Sequence, residues 1–311
     1  MTHVLVTGAA GFIGSHTVDQ LLAAGHQVTA VDNFRTGRRE NLAGALRSPA
    51  CQLVEADVSA EGVLAGLVAA GRPEAIVHLA ALVSVPESIR DPELNFRLNV
   101  VATQRVAEAA RVGGVGRVVF ASSAAVYGDA PPLPAGEDAP KAPISPYGAA
   151  KLASEALLLG HAAAFGFTVR CQRYFNVFGP RQDPGSPYSG VISLFARRHR
   201  EGTAVTLFGD GGQTRDFISV HDVARANVLA ATAPGLVSGT ANICTGRGTS
   251  LREVLAVFQR HYPSAPAPAF APPREGDIRH SRGDPTAAAA ALGFRAAVAV
   301  EDGLAELAAE E

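Results

Sequence analysis

Short apolar runs alternate with helix-length amphipathic stretches along the first half of the chain. Val4-Leu5-Val6-Thr7 reads as a strand, and residues 12 to about 24 read as the helix that follows it. Further strands are predicted at 27–31, ending in Asp32, at 52–55, at 75–79 and at 117–121, ending in Ser122-Ser123. A helix is predicted from 99 to about 111, where Val100, Val101, Val106 and Ala109 recur at helical spacing. Strands separated by helical crossovers imply a parallel, doubly wound α/β sheet with ligands at the carboxyl ends of its strands. The texture changes after Asn176. Residues 179–190 hold three prolines and three glycines, as a loop crossing to a second lobe would. That lobe starts with a helix at 191–200 and a strand at 205–208, and residues 262–273 read as an extended Ala/Pro-rich connector. The division is therefore 1–176 for a Rossmann domain and 177–311 for a smaller C-terminal α/β lobe.

Composition narrows the class without naming a reaction. The chain of 311 residues has the length for two domains, and 47% hydrophobic with 18% charged residues is ordinary for a globular protein. A net charge of -2 supplies no field for nucleic acid or an anionic membrane, so neither is expected as a partner. Cys51, Cys171 and Cys244 are odd in number and far apart, which argues against a disulfide framework, and no metal-ligand spacing is found. With no secretory pattern and no apolar run of membrane length, a cytoplasmic protein is expected. His16, His78, His161 and His221 read as packing or surface residues.

The first turn carries the first chemistry. Gly8, Gly11 and Gly14 are spaced G-x-x-G-x-x-G between a strand and a helix. Gly8 makes the turn, Gly11 admits a pyrophosphate to the backbone N–H groups at Phe12 and Ile13, and Gly14 permits close helix packing. Asp32 can accept both ribose hydroxyls of NAD and would repel a 2′-phosphate, although Arg35, Arg38 and Arg39 nearby leave NADP open. Asp57, followed by Val58, is placed to reach an adenine amine, and Leu79-Ala80-Ala81 offer small residues under a passing cofactor.

Ser145-Pro146-Tyr147-Gly148-Ala149-Ala150-Lys151 reads as a helix opening that puts Tyr147 and Lys151 four residues apart on one face. A phenol has a pKa of about 10. A neighbouring ammonium is expected to lower it, making Tyr147 a general acid/base near neutrality beside Ser123. The plain alternative is a chance pair on a solvated helix face.

Several motifs together resemble those of the extended short-chain dehydrogenase/reductases of the NAD-dependent epimerase/dehydratase family. Within it the chain is most similar to UDP-glucose and UDP-N-acetylglucosamine 4-epimerases. The carrying residues are 7–16, Val31-Asp32-Asn33, Ala121-Ser122-Ser123, Val126-Tyr127-Gly128, 145–151 and 173–181. The resemblance implies that Ser123 and Tyr147 contact the sugar hydroxyl, that Lys151 holds the nicotinamide ribose, and that Asn33, Asn99 and Tyr174 line the NAD pocket. It also implies that Arg215 and Arg274 bind the diphosphate, Asp277 the uridine ribose, and Ser84, Asn176, Arg181 and Val191 the rest of the UDP-sugar. A segment at about 217–245 would return to the first domain. Two helices, near 99–111 and 147–165, would form a four-helix bundle in a homodimer.

The reaction implied is epimerisation at C4 through a transient 4-keto sugar. A 4,6-dehydratase of this family would need an Asp-Glu pair where Ala124 and Ala125 stand. A uronic acid substrate, UDP-glucuronate, remains the alternative, with Arg181 or Arg247 as the cation. Ser281, four positions after Asp277, is small where relatives restricted to UDP-glucose resemble one another in carrying an aromatic. Together with Ser84-Val85-Pro86-Glu87-Ser88, it implies acceptance of UDP-GlcNAc/UDP-GalNAc beside UDP-glucose/UDP-galactose. A binding module that senses NAD without catalysis is the reading from another class, disfavoured by the retained Tyr147, Lys151 and Ser123.

Overall fold

The computed structural model describes residues 1–129, 131–183, 190–273 and 278–309. The predicted strands form β1 (His3–Thr7), β2 (Gln27–Asp32), β3 (Cys51–Glu55), β4 (Ala75–His78) and β5 (Arg117–Ser123). With β6 (Thr168–Tyr174) and β11 (Gly239–Ile243) they make a seven-stranded sheet ordered β11-β6-β5-β4-β1-β2-β3. Every neighbouring pair is parallel. The order reverses between β1 and β4, the crevice where doubly wound sheets bind ligands.

Both faces of the sheet are buried, because alternate side chains of each strand enter different cores. Val4 and Val6, Val77 and Val119 pack with α1 (Phe12–Ala23), with α8 (Val220–Thr232) and with α10 (Thr286–Leu292). Leu5, Ile76, Val118 and Phe120 face the other way. There they meet α2 (Val63–Gly71), α5 (Ala102–Gly113) and α6 (Pro146–Phe165). Between β4 and α5 lie two short helices, α3 (Val85–Arg90) and α4 (Pro92–Phe96), and a π-helical turn at Arg97–Val101. The helix predicted from 99 therefore starts within that turn.

A third core belongs to the C-terminal half: α7 (Val191–Arg200), β8 (Thr206–Phe208), α9 (Leu251–His261) and α11 (Val300–Ala309) enclose Phe195, Leu207 and Phe258. Small two-stranded sheets join β7 (Asn176–Phe178) to β10 (Phe217–Ser219), β9 (Thr214–Arg215) to β12 (Thr249–Ser250), and β8 to β13 (Ala269–Ala271). The connector at 262–273 thus contributes a strand. Cys171 lies within β6, whereas Cys244 lies one residue beyond β11.

Helix α6 is defined at both ends by its sequence. Ser145 Oγ accepts from the Gly148 N–H at 3.1 Å, Pro146 occupies the first helical position, and Gly166 closes the helix at a φ of 81°. One face of α6 packs inward through Lys151, Ser154, Glu155, Leu158 and Ala162. The opposite face, at Ala149, Ala153, Ala156, Gly160 and Ala163, is exposed, so within the single chain α6 is buried on one side and not on two.

Glu155 and Arg173 form an ion pair at 2.7 Å with each side chain only 4% exposed. Arg173 also donates to the Tyr127 hydroxyl at 2.9 Å, and Tyr127 donates to Asn242 Oδ1 at 2.6 Å. This network ties α6 to β6 and β11 in a place where an unpaired charge would be costly. Arg173→Met is therefore expected to destabilise the protein by about 3–5 kcal/mol, the scale for breaking a buried pair, read as a lowered urea midpoint at unchanged slope.

Candidate active site

A cavity of about 1070 Å³ runs along the carboxyl edge of the sheet, from Asp32 and Asp57 past Gly11, Phe12 and Ile13 to Lys151 and Tyr147. A smaller cavity of about 340 Å³ adjoins it, walled by Val83, Ala124, Ala125, Arg215 and Ser281. Ser123, Tyr147, Tyr174 and Asn176 line both, so the acid/base candidates stand at the junction.

The glycine turn is shaped as a cradle for backbone approach. A Cβ on Gly8 would sit 2.7 Å from the Ala80 nitrogen, and one on Gly14 would overlap the Gly8 carbonyl oxygen. Gly11 caps α1 without any side-chain bond, leaving first-turn N–H groups of α1 at the cavity wall. At the other end Asp32 accepts from the Ala10 N–H at 2.9 Å and the Phe34 N–H at 2.8 Å. Burial raises its carboxyl pKa, and these N–H donors oppose the rise. The three nearby arginines are each engaged by an acid: Arg35 by Glu87 at 2.7 Å, Arg38 by Asp183 at 3.0 Å and Arg39 by Glu55 at 3.4 Å. A glycine cradle, free helix N–H groups and a carboxylate suited to a ribose diol fit NAD.

Lys151 is 3% exposed and donates to the Ala121 carbonyl at 2.8 Å. Its ammonium lies 4.9 Å from the Phe120 ring centre and 5.8 Å from that of Tyr147. Burial brings its pKa down to about 7, opposed by the Glu155 carboxylate. Tyr147 is raised by burial, opposed by its hydrogen bond with Ser123. The expected lowering of the phenol by Lys151 is thus not met in the protein alone. Desolvation acts on both groups, and a half-neutral lysine is a weak partner for a phenolate.

Most residues singled out in the sequence converge here. Gly8, Asn33, Val58, Leu79, Ala80, Ala81, Ser84, Arg181 and Val191 all line the large cavity. Ser84 Oγ is already used, as it accepts from the Glu87 N–H at 2.9 Å to cap α3. Arg181 pairs with Asp19 at 2.8 Å, and Arg247 pairs with Glu301 at 2.9 Å away from both cavities. Arg274 and Asp277 lie outside the described residues. Tyr174 donates to Asn227 Oδ1 at 2.6 Å.

Asn99 is the exception. It lies in the π-helical turn, buried behind the cavity, and its amide donates to the Leu82 carbonyl at 3.0 Å and to Asn95 Oδ1 at 2.8 Å. It lines neither cavity. The local widening of the helix there serves packing against α6, since the Asn99 carbonyl accepts from Ser154 at 3.3 Å. Sequence reasoning missed Glu155, whose Oε1 accepts from Ser122 at 2.5 Å directly under the site. The signal was present: an acid four residues after Lys151 falls on the same inward face of the helix.

A glycine-cradled dinucleotide cavity ending at a half-buried Tyr/Ser pair and a buried Lys defines a class, the short-chain dehydrogenase/reductase type of Rossmann enzyme. The sequence profile of the NAD dependent epimerase/dehydratase family matches residues 4–244, and the chain belongs to that family and uses NAD. It is 43% identical over 303 residues to a UDP-glucose 4-epimerase of Mycolicibacterium smegmatis, covering 97% of this chain and 96% of the relative. The Thermus thermophilus UDP-glucose 4-epimerase complex with NAD superposes with a TM-score of 0.87 at 38% identity, covering 98% of this chain and 97% of that one. The UDP-N-acetylglucosamine 4-epimerase of Methanobrevibacter ruminantium, solved with UDP-N-acetylmuramic acid, gives a TM-score of 0.93 at 33% identity, covering 99% and 97%.

The lowered Lys151 pKa has a thermodynamic sign. Between pH 7 and about 10 the unfolded lysine binds a proton that the folded one does not, so stability from this group rises with pH. Below pH 7 the full cost of burying the ammonium is present. In NAD-free protein, the stability of wild type relative to Lys151→Met should rise by up to about 1.4 kcal/mol per pH unit from pH 7 towards pH 9. Denaturant titrations of both proteins across that range check it.

Proposed function

We propose that the protein is a UDP-hexose 4-epimerase interconverting UDP-glucose and UDP-galactose, and that it also turns over UDP-GlcNAc and UDP-GalNAc. The observation that carries the reading is the position of Tyr147 and Ser123, where the cavity fitted for NAD meets a second, hexose-sized one. NAD, when bound, would supply a reversible hydride acceptor and a positively charged ring. Tyr147 takes the proton from the 4-hydroxyl and returns it after the sugar has presented its other face, while Ser123 shares that hydroxyl's hydrogen bond. Lys151, fixed against Ala121, would hold the cofactor ribose.

Elimination is disfavoured because Ala124 and Ala125 line the small cavity and no Asp or Glu does so among the described residues. A C6 carboxylate is disfavoured for Arg181 and Arg247, since Asp19 and Glu301 already engage them. Ser281 at the wall of the small cavity supports the wider substrate range, because a serine leaves room that an aromatic ring would fill. The relative named for UDP-N-acetylglucosamine is in keeping with it. Arg215 in the same wall is suited to the diphosphate, and Arg274 and Asp277 remain proposed partners of the nucleotide. The exposed small-residue face of α6 supports the proposed homodimer, as a second copy would bury it. Three free cysteines are in keeping with a reducing cytoplasm, and no described helix is long and apolar enough to cross a membrane.

The deciding experiment is incubation with UDP-galactose and, separately, UDP-GalNAc without added reductant, following the C4 epimers by NMR. Conversion of both is expected. Absence of UDP-glucose from the UDP-galactose incubation would sink the 4-epimerase reading. Tyr147→Phe should lower kcat by at least about 100-fold, in line with the loss of a general acid/base, while NAD remains bound. Ser281→Tyr should abolish turnover of the N-acetylated sugars and leave UDP-galactose within about three-fold, since only the larger substituent meets the added ring. Equal loss on both sugars would remove Ser281 as the specificity determinant.

A further inference from the structure

The first turn of α6 is held by two side chains from the segment that precedes the π-helical turn. Ser88 Oγ accepts from the Tyr147 N–H at 3.2 Å, and Asn95 Nδ2 donates to the Pro146 carbonyl at 3.0 Å. These two contacts fall on opposite edges of one peptide group, the one that joins Pro146 to Tyr147. A peptide gripped at both its N–H and its C=O cannot rotate about its own axis, and its plane sets the direction in which the Tyr147 side chain leaves the backbone.

The contacts also complete the helix start. Pro146 brings no N–H, Ser145 satisfies that of Gly148, and Ser88 satisfies that of Tyr147, an orphan within its own helix. Ser88 is 0% and Asn95 3% exposed, so neither has water as an alternative partner. Each is anchored in turn: Ser88 donates to the Val85 carbonyl at 2.7 Å, and Asn95 Oδ1 accepts from Asn99 at 2.8 Å. The segment carrying Ser88 lines the cavities as well, with Val85 of α3 in the wall of the small one. Val83 lines both cavities, and Glu87, one residue before Ser88, pairs with Arg35 from the loop after β2.

Resting on the 4-epimerase reading, we propose that Ser88 and Asn95 are positioning residues that set the Tyr147 hydroxyl relative to the cavity junction. They register the acid/base helix against the segment that faces both cofactor and sugar. A misplacement of about 1 Å at a reacting group can cost about 100-fold in rate. Loss of one edge of the clamp acts on kcat and leaves binding in place.

The test uses NAD-loaded protein and UDP-galactose, with Tm, NAD per chain, kcat and KM measured for wild type, Ser88→Ala, Ser88→Thr and Asn95→Ala. Ser88→Ala and Asn95→Ala should lower kcat by about ten-fold or more, with KM and NAD content within about two-fold of wild type. Ser88→Thr keeps the hydroxyl and should recover most of the loss. Folded Ser88→Ala with kcat within two-fold of wild type overturns the assignment, as does a KM that rises in step. If Ser88→Ala does not fold, Asn95→Ala decides by the same criteria. Loss of fold in both makes the pair structural and overturns it too. A wild-type protein without turnover sinks the functional reading itself, whereas an active wild type with unaffected variants sinks only the clamp.

Discussion

An ammonium group withdrawn from water is the constraint around which this site is built. Lys151 Nζ donates to the carbonyl of Ala121, and that bond fastens α6 across the end of β5. An isolated charge there would be lost by neutralisation. The aromatic face of Phe120 and the carboxylate of Glu155 counter that tendency only in part, so the group sits near the point of losing its proton. Glu155 can serve because Arg173 and Ser122 satisfy its oxygens. Arg173 can lie buried because Tyr127 takes one of its remaining donors. Each polar group in the floor of the site is tolerated on account of the next.

The same logic separates the two halves of the central strands. In the middle of β1, β4 and β5 the side chains are apolar on both faces, so they carry stability and leave no functional choice, whereas β6 carries the buried Arg173. At the carboxyl ends the chain turns to Asp32, Ser122 and Ser123, where the sheet no longer has helices over it and a cavity opens. Stability and chemistry thus occupy different stretches of the same strands. The arginines around the mouth are paired with acids from other segments, which leaves the cavity wall near Asp32 suited to a ribose diol and not to a further phosphate.

Much of the site was legible because it is encoded at short range. The glycine turn, the acid at the end of the second strand and the Tyr147/Lys151 spacing each depend on neighbours within a few residues. They were found where periodicity predicted. Asn99 is assigned to the NAD pocket by resemblance and not by local pattern; it lines neither cavity, and an α-helical reading of 99–111 does not foresee the π-helical turn in which it lies. Glu155 was passed over because an acid on a helix is ordinarily solvated, and nothing near it in the chain says that Arg173 will bury it.

The sequence by itself determined the doubly wound sheet and the cofactor cradle, since alternation of apolar runs and spacing of glycines are local properties of a chain, and the resemblance of its motifs pointed to the family. Only the tertiary structure decided the protonation balance of Tyr147 and Lys151, because that balance is set by desolvation from elements distant along the chain. It likewise decided the grip on the Pro146–Tyr147 peptide, made by residues 51 and 59 positions away. Periodicity says which face of a helix turns inward. What that face meets depends on how the rest of the chain comes back to it.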